Sequence, residues 1–478
     1  MGNACIPKGI GYETKCKYCG KKEVTVMKKQ ERRAQICVFL ALLLTLGAFR
    51  FIYKYVKEGR DWVTFYGNTQ IYNEGVINRG TVTDRNGTEL LTCTREGYYY
   101  NEDYETRVST IHAVGDVKGN VPTGAISRYK SQLIGYDLLN GTFDITADGK
   151  KIVLTLDAGA CKTAYEALDG RTGTVGVYNW KTGEIVCMVS TPSFDPNDPP
   201  SDNSEREVGS YFFNNFIDGT ITPGSTFKLI TAAAVIDNIP DRDSFIYECD
   251  GINKYGDSKD LEIRDVYAHG TVDFRDALAQ SCNGAFGLLT RELGASIMED
   301  YTEKTGLTQP IDINGIKTAA GSFNFPTDDD YMLSWAGIGQ GEDLVNPCAM
   351  MVYMGAIANE GKPECPTLIK HASFLGGVPR GESLGRYLEK DTALELKGMM
   401  KNNVVSNYGE DNFYGLDIYA KSGTAETSSE ESDAWFVGFT DDKDAPYAFV
   451  VWVKGGGFGS EVAAPIARSV LDKLREDI

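Results

Sequence analysis

The alternation of apolar and polar positions changes character several times along the chain. Residues 1–33 are polar and basic, with no apolar period. "ICVFLALLLTLGAF", Ile36–Phe49, then runs without a charge or a proline, and with its flanks the stretch Ala34–Tyr53 is 20 residues long. A helix needs about 20 apolar residues to cross a hydrocarbon core. Residues 54–150 alternate in short segments broken by turn signals, "RNG" at Arg85–Gly87 and "LNG" at Leu139–Gly141. That texture predicts a small, extended, β-rich region rather than a compact core. From Lys151 the segments lengthen. "KIVLTLD" reads as a strand, "AGACKTAYEAL" has helical spacing, and "GTVGVYNWKTGEIVCMVS" reads as two strands about a Lys-Thr-Gly-Glu turn. A loop rich in Pro, Asp, Asn and Ser follows over Thr191–Ser204. An apolar-periodic helix is expected from Ser225 to about Asp237. "DAWFVGFT" and "YAFVVWVK" are expected as adjacent antiparallel strands across "DDKDAP", and a last helix from about Val462 to Glu476. Strands at both ends with helices between them predict an α+β or α/β layer fold around a central antiparallel sheet.

Charge divides the chain at the same place as hydropathy. Lys and Arg number 48 against 67 Asp and Glu, a net charge of −19. Residues 1–57 hold 12 Lys/Arg against 3 Asp/Glu, net +9, so the remainder carries −28. An acidic body of this size excludes nucleic acid as a partner. A basic tail beside it implies that the two parts meet different surroundings. Lys28, Lys29, Arg32 and Arg33 stand just before the apolar run, which favours a cytoplasmic N-terminus. The polar lead is long for a signal peptide and no Ala-x-Ala site follows the run, so an uncleaved anchor is expected. The expected organisation is a cytoplasmic tail (1–33), a transmembrane anchor (34–53), a pedestal (54–150) and a larger extracytoplasmic domain (151–478).

Eleven cysteines fall as three in the tail (Cys5, Cys16, Cys19), one in the apolar run (Cys37) and seven beyond it. A lone C-x-x-C with one distant third cysteine is weak evidence for metal, and reduced thiols are the expected state of the tail. His112, His269 and His371 are far apart. Their spacing forms no metal signature and lends no support to a Ser-His-Asp triad.

The candidate chemistry lies in "TPGSTFKLITAA", Thr222–Ala233. A serine hydroxyl attacks only when a neighbouring base takes its proton. Positions i and i+3 share a helix face, so Ser225 and Lys228 can bring a hydroxyl beside an amine. Desolvation or a second cation would release the lysine's proton and make it that base. One S-x-x-K is cheap, and Ser127–Lys130 is a second copy. Two accompanying elements, S-x-N and K-[ST]-G, mark penicillin-recognising serine enzymes, and both also have decoys. S-x-N occurs at Ser201–Asn203, Ser281–Asn283 and Ser322–Asn324; K-[ST]-G occurs at Lys181–Gly183, Lys304–Gly306 and Lys421–Gly423. Order and context select Ser281–Asn283, at the end of a helical stretch, and Lys421–Gly423, on an alternating strand. Gly423 would leave that strand without a side chain, so that a substrate backbone could lie against it.

With these motifs the chain resembles a class B penicillin-binding protein, a membrane-anchored D,D-transpeptidase. "NRGTVTDRNGTELL" (Asn78–Leu91), "TGEIVCMVSTPSFDPND" (Thr182–Asp198), "GIGQGEDLVNPCAMMVYMGAIANEGK" (Gly337–Lys362) and "AWFVGF" (Ala434–Phe439) follow the family's order over most of the chain. Cys282 within S-x-N, and Asn346 where threonine is common, depart from the pattern without touching a catalytic group. An exposed thiol at 282 would make the site sensitive to oxidation. The resemblance implies the transpeptidase fold, a central antiparallel sheet with helices on both faces, on a small β-rich pedestal. It implies that Ser225 attacks a D-Ala-D-Ala stem peptide, with Lys228 as base. Ser281 and Asn283 would relay protons and bind the substrate amide. Lys421 would hold the substrate carboxylate and tune Lys228, and Ser422, Gly423 and Thr424 would bind substrate. The N–H groups of Ser225 and Thr424 would form the oxyanion hole. An amine of a second stem peptide would accept the acyl group, β-lactams would acylate Ser225, and no metal or organic cofactor is called for. A SEDS-type membrane glycosyltransferase is the implied partner. The alternatives are a β-lactamase, a β-lactam sensor, a D,D-carboxypeptidase, or a non-catalytic regulator of such a glycosyltransferase.

Overall fold

In a computed structural model of the chain, the described residues are 19–138, 140–141, 149–201, 207, 210–256, 258–370, 381–427 and 431–476. Cys5, Cys16, His371, Leu139 of the second turn signal and the Asp202–Asn203 part of "SDN" lie outside them. The chain divides into two compact units, Met1–Val63 and Thr64–Ile478.

Among its described residues the first unit is one helix, α1 (Cys19–Val63), of 45 residues. No proline interrupts it, so helical hydrogen bonding runs past both ends of the apolar stretch. The helix is long and apolar enough to cross a membrane, and its apolar side chains, Leu40, Leu44 and Phe49 among them, are exposed.

The second unit contains a four-stranded sheet: β1 (Gly80–Thr83), β2 (Glu89–Cys93), β3 (Tyr98–Tyr100) and β4 (Lys151–Val153), ordered β3-β2-β1-β4. The first turn signal does what its residues dictate. Asp84 Oδ1 accepts the N–H groups of Asn86 and Thr88, and Gly87 takes φ +95°, so β1 and β2 close an antiparallel hairpin. β4 joins β1 in parallel, so this sheet pairs across the expected division at 150. The region is also more helical and more compact than expected. α2 (Tyr104–Val114), capped by the Asp103 carboxylate on the Thr106 N–H, buries eight of its eleven residues. A helix buried this widely shows no amphipathic stripe, which is why the sequence pattern concealed it.

The larger sheet unites strands from distant parts of the chain: β5 (Gly173–Asn179), β6 (Ile185–Thr191), β7 (Ile418–Ala425), β8 (Asp433–Thr440) and β9 (Tyr447–Val453). Their order is β7-β8-β9-β5-β6, every pair antiparallel. Every residue of β8 and β9 is buried, as strands covered on both faces must be. α3 (Ala158–Leu168) and α9 (Ala463–Glu476) pack together against the sheet; α7 (Pro347–Ala358) packs on β5, β8 and β9, and α8 (Lys390–Asn403) on β7. α4 (Lys228–Asn238) is buried from Lys228 to Ile236 and packs against α8 and α6 (Asn283–Leu293). α6 follows the short helix α5 (Phe274–Ala279). β7 remains an edge strand beside the N-terminal end of α4.

Candidate active site

The nucleophile turn is built by the Pro-Gly pair. Gly224 takes φ +53° and its Cα lies against β7: a side chain there would meet the Thr424 carbonyl oxygen at 2.5 Å. Gly224 N–H donates to the Gly339 carbonyl (2.8 Å), Thr226 Oγ1 to the Pro223 carbonyl (2.8 Å), and Trp435 Nε1 to the Thr222 carbonyl (3.0 Å). Ser225 therefore sits in a tight 3₁₀ turn, Gly224–Thr226, just before α4 begins at Lys228. Ser225 Oγ accepts no capping N–H from α4 and is positioned as a hydroxyl facing Lys228.

Lys228 Nζ lies 3.1 Å from Ser225 Oγ, 2.6 Å from the Ser281 carbonyl, 3.2 Å from Ser281 Oγ and 2.6 Å from Asn283 Oδ1. The two shortest contacts are to atoms that can only accept. A neutral amine has two N–H groups; both are then spent on Ser281 O and Asn283 Oδ1, and the lone pair is left for a hydroxyl proton. Burial is the main cause that lowers the Lys228 pKa from 10.5 to about 8, opposed by the Asp265 and Cys282 charges. Lys421, also fully buried, is held well below its ordinary value by desolvation first and by the Lys228 charge second. Lys421 Nζ reaches Ser281 Oγ at 3.0 Å and the Ser422 carbonyl at 2.8 Å. Ser281 Oγ thus bridges the two amines, and its backbone is held at φ +57° to do so, a conformation costly for a non-glycine residue.

Five chosen residues meet here: Ser225, Lys228, Ser281, Asn283 and Lys421. Ser422, Gly423 and Thr424 continue along β7, opposite Phe436, Trp435 and Ala434 of β8. Gly423 has a second reason, which its sequence did not suggest. A side chain there would strike Thr226 Cγ2 at 2.7 Å and Trp435 Cβ at 3.0 Å. The missing side chain seats the Ser225 turn against the strand.

The decoys are accounted for locally. Ser127 Oγ bonds the Val121 carbonyl, and Asn324 Nδ2 bonds Glu342. Lys181–Gly183 is the β5–β6 turn, and Lys304 ends a helix. Both sequence departures have roles. Asn346 caps α7 on the Ala349 N–H, and its amide lies within 3.3 Å of the Phe216, Ile217 and Gly219 carbonyls, more acceptors than a threonine hydroxyl could satisfy. Cys282 caps α6 on the Ala285 N–H and is fully buried, not exposed; burial pushes its thiol up, so the expected ready oxidation has no exposed thiolate behind it.

Sequence spacing missed Asp265. Its Oδ1 accepts the Asn283 N–H at 2.6 Å, while Asn283 Nδ2 donates to the Arg264 carbonyl at 2.7 Å. The same carboxylate stands among Cys249, His269 and Cys282, whose ligand atoms all lie within 4.8 Å of one another. Two thiols, an imidazole and a carboxylate are a donor set that could hold a zinc-type cation. The spacing 249–265–269–282 contains no C-x-x-C or H-x-x-H, which is why it was not legible as a metal signature.

A half-buried serine beside a buried lysine, bridged to a second buried lysine and set beside the edge of an antiparallel sheet, defines an acyl-transfer serine enzyme. Comparison with known proteins gives the same class. Residues 173–472 match the penicillin binding protein transpeptidase domain. The chain is 28% identical over 342 residues to the peptidoglycan D,D-transpeptidase PbpA of Mycobacterium tuberculosis, covering 66% of this chain and 67% of that protein. It is 26% identical over 405 residues to stage V sporulation protein D of Bacillus subtilis, 79% of this chain and 59% of that one. The crystal structure of PBPA from M. tuberculosis superimposes with a TM-score of 0.71 at 23% identity, covering 83% of this chain and 98% of that one. The chain belongs to the penicillin-binding protein transpeptidase family, in its class B branch.

Proposed function

We propose that the protein is a peptidoglycan D,D-transpeptidase that works through an acyl-enzyme on Ser225. The observation that carries the reading is the 3.1 Å approach of Lys228 Nζ to Ser225 Oγ, with both amine hydrogens engaged elsewhere. Ser225 Oγ attacks the carbonyl of the D-Ala-D-Ala peptide bond and its proton passes to Lys228. Ser281, in contact with both amines, relays that proton to the departing nitrogen. The C–N bond breaks, D-Ala leaves, and the acyl group remains as an ester on Ser225. An amine of a neighbouring stem peptide then attacks the ester, forming the cross-link and returning a proton to Ser225 Oγ. Lys421, Ser422 and Thr424 bind the substrate carboxylate, and the N–H groups of Ser225 and Thr424 stabilise the oxyanion, a large contribution in sites of this kind. A β-lactam follows the first half of this path and stays on Ser225.

The setting is proposed with the reaction. α1 anchors the chain, the basic tail stays in the cytoplasm, residues 54–150 form a pedestal, and residues 151–478 catalyse outside the membrane. The long apolar helix with its upstream lysines and arginines supports this. The anchor and pedestal are the surfaces for a SEDS-type glycosyltransferase. Incubation with a lipid-linked stem-peptide donor and an acceptor should yield cross-linked dimers; release of free D-Ala without dimers would mark a carboxypeptidase. Rapid turnover of a penicillin adduct would mark a β-lactamase.

A further inference from the structure

The free edge of β7 is closed along part of its length. In an antiparallel pair alternate residues turn N–H and C=O toward the partner strand, and the others turn them outward. On β7 the outward residues are Ala420, Ser422 and Thr424. Such an edge is a template for any extended peptide. Here Asn403 Nδ2 donates to the Ala420 carbonyl at 3.0 Å, and the Ser422 N–H donates to the Tyr408 hydroxyl at 2.8 Å. Both partners come from one segment. α8 ends at Asn403 and continues as a single π-type turn, Val404–Tyr408, closed by the Gly409 N–H on the Val404 carbonyl at 2.9 Å. Turns of this kind are rare and are found often at functional sites. The same turn has a third arm: Asn407 Nδ2 donates at 2.7 Å to the Ala279 carbonyl, two residues before Ser281.

We propose that the Val404–Tyr408 turn is a positioning bracket for the catalytic cleft. Tyr408 aims the Ser422 hydroxyl and blocks strand pairing short of Thr424, and Asn407 holds the Ser281 loop at its distance from β7. The proposal rests on the transpeptidase reading of the same site. Its chemistry follows from one hydroxyl. Tyr408 Oη accepts the Ser422 N–H, so its own proton is free for Ser422 Oγ, 3.0 Å away. Ser422 Oγ then accepts on the wall side and turns its own proton to the cleft, where a substrate carboxylate can take it. Burial raises the Tyr408 pKa, which keeps the phenol protonated for this task. Thr424 is left as the first outward residue beside the Ser225 turn, which sets a single register for a donor peptide.

The test is Tyr408→Phe, which keeps the ring on Phe436 (5.6 Å between centroids) and removes only the hydroxyl. Acylation by a penicillin should be resolved into its binding constant and its chemical rate. One or two lost hydrogen bonds predict binding weaker by about tenfold, with the chemical rate little changed. In a Ser422→Ala background the same substitution should weaken binding by clearly less, because only the bond from the residue 422 N–H is then left to lose. Equal effects in both backgrounds, or none in the unsubstituted protein, overturn the proposal. If Tyr408→Phe does not fold, Asn407→Ala carries the test: the chemical step should slow by about tenfold, and an unchanged step overturns the bracket. Absence of any acylation in the unsubstituted protein would instead overturn the transpeptidase reading, so the two failures are distinguishable.

Discussion

The buried lysine pair predicts how the enzyme should respond to pH. Lys228 must be neutral to take the Ser225 proton, and burial brings its pKa from 10.5 to about 8. That shift corresponds to about 3 kcal/mol of disfavour for the ammonium, at about 1.4 kcal/mol per unit. The sign is set by a cation losing its proton: acylation is weak below pH 8 and rises as pH climbs through it. At pH 7 about one Lys228 in ten is neutral, against about one in several thousand for an unperturbed lysine. The second-order rate of Ser225 acylation should therefore rise about tenfold per unit up to pH 7.5 and level off above pH 8.5. Stopped-flow acylation by a chromogenic cephalosporin at constant ionic strength measures it. Lys228→Arg keeps a cation but cannot act as base, and it should lose at least about a thousandfold with no rise toward pH 9. A flat profile between pH 6 and 9, or an Lys228→Arg variant within tenfold of the unsubstituted rate, would refute the reasoning.

Other substitutions test the supports of the site. Gly423→Ala places a methyl 2.7 Å from Thr226 Cγ2 and should cost about 1–3 kcal/mol with a larger loss of acylation; Thr226→Ser, which deletes the opposing methyl, should restore much of both, by thermal melting and penicillin labelling. Asn346→Ala removes the α7 cap and orphans carbonyls at Phe216, Ile217 and Gly219, so it should destabilise by about 1–3 kcal/mol in denaturant titration. Cys249, Asp265, His269 and Cys282 are expected to take zinc; elemental analysis after zinc loading and dialysis should find the metal, and Cys249→Ser with Cys282→Ser should lose it. Equal zinc in both proteins would exclude the cluster as the ligand set.

The main sheet was largely legible, because its signals are local and strong. β5 and β6 announce themselves as apolar segments about a Lys-Thr-Gly-Glu turn, and β8 and β9 by continuous apolar runs. Ser225, Lys228, Ser281, Asn283 and Lys421 were legible through order and context, although each motif has a decoy. Two kinds of information were not. α2 is buried over most of its surface, so it carries no amphipathic period. The contributions of Asp265, Asn407 and Tyr408 depend on tertiary approach across 14 to 128 residues, for which one chain offers no local pattern. Gly423 shows a third case: its residue type was noticed, but its second reason, the seat for Thr226, exists only in the fold.

The central claim is that Ser225, and no other serine, becomes acylated. Labelling the protein with a penicillin and mapping the adduct by peptide mass spectrometry tests it most directly. One adduct per chain on the peptide containing Ser225, abolished in Ser225→Ala, is the predicted result. An adduct on Ser127, or labelling that survives Ser225→Ala, would contradict it.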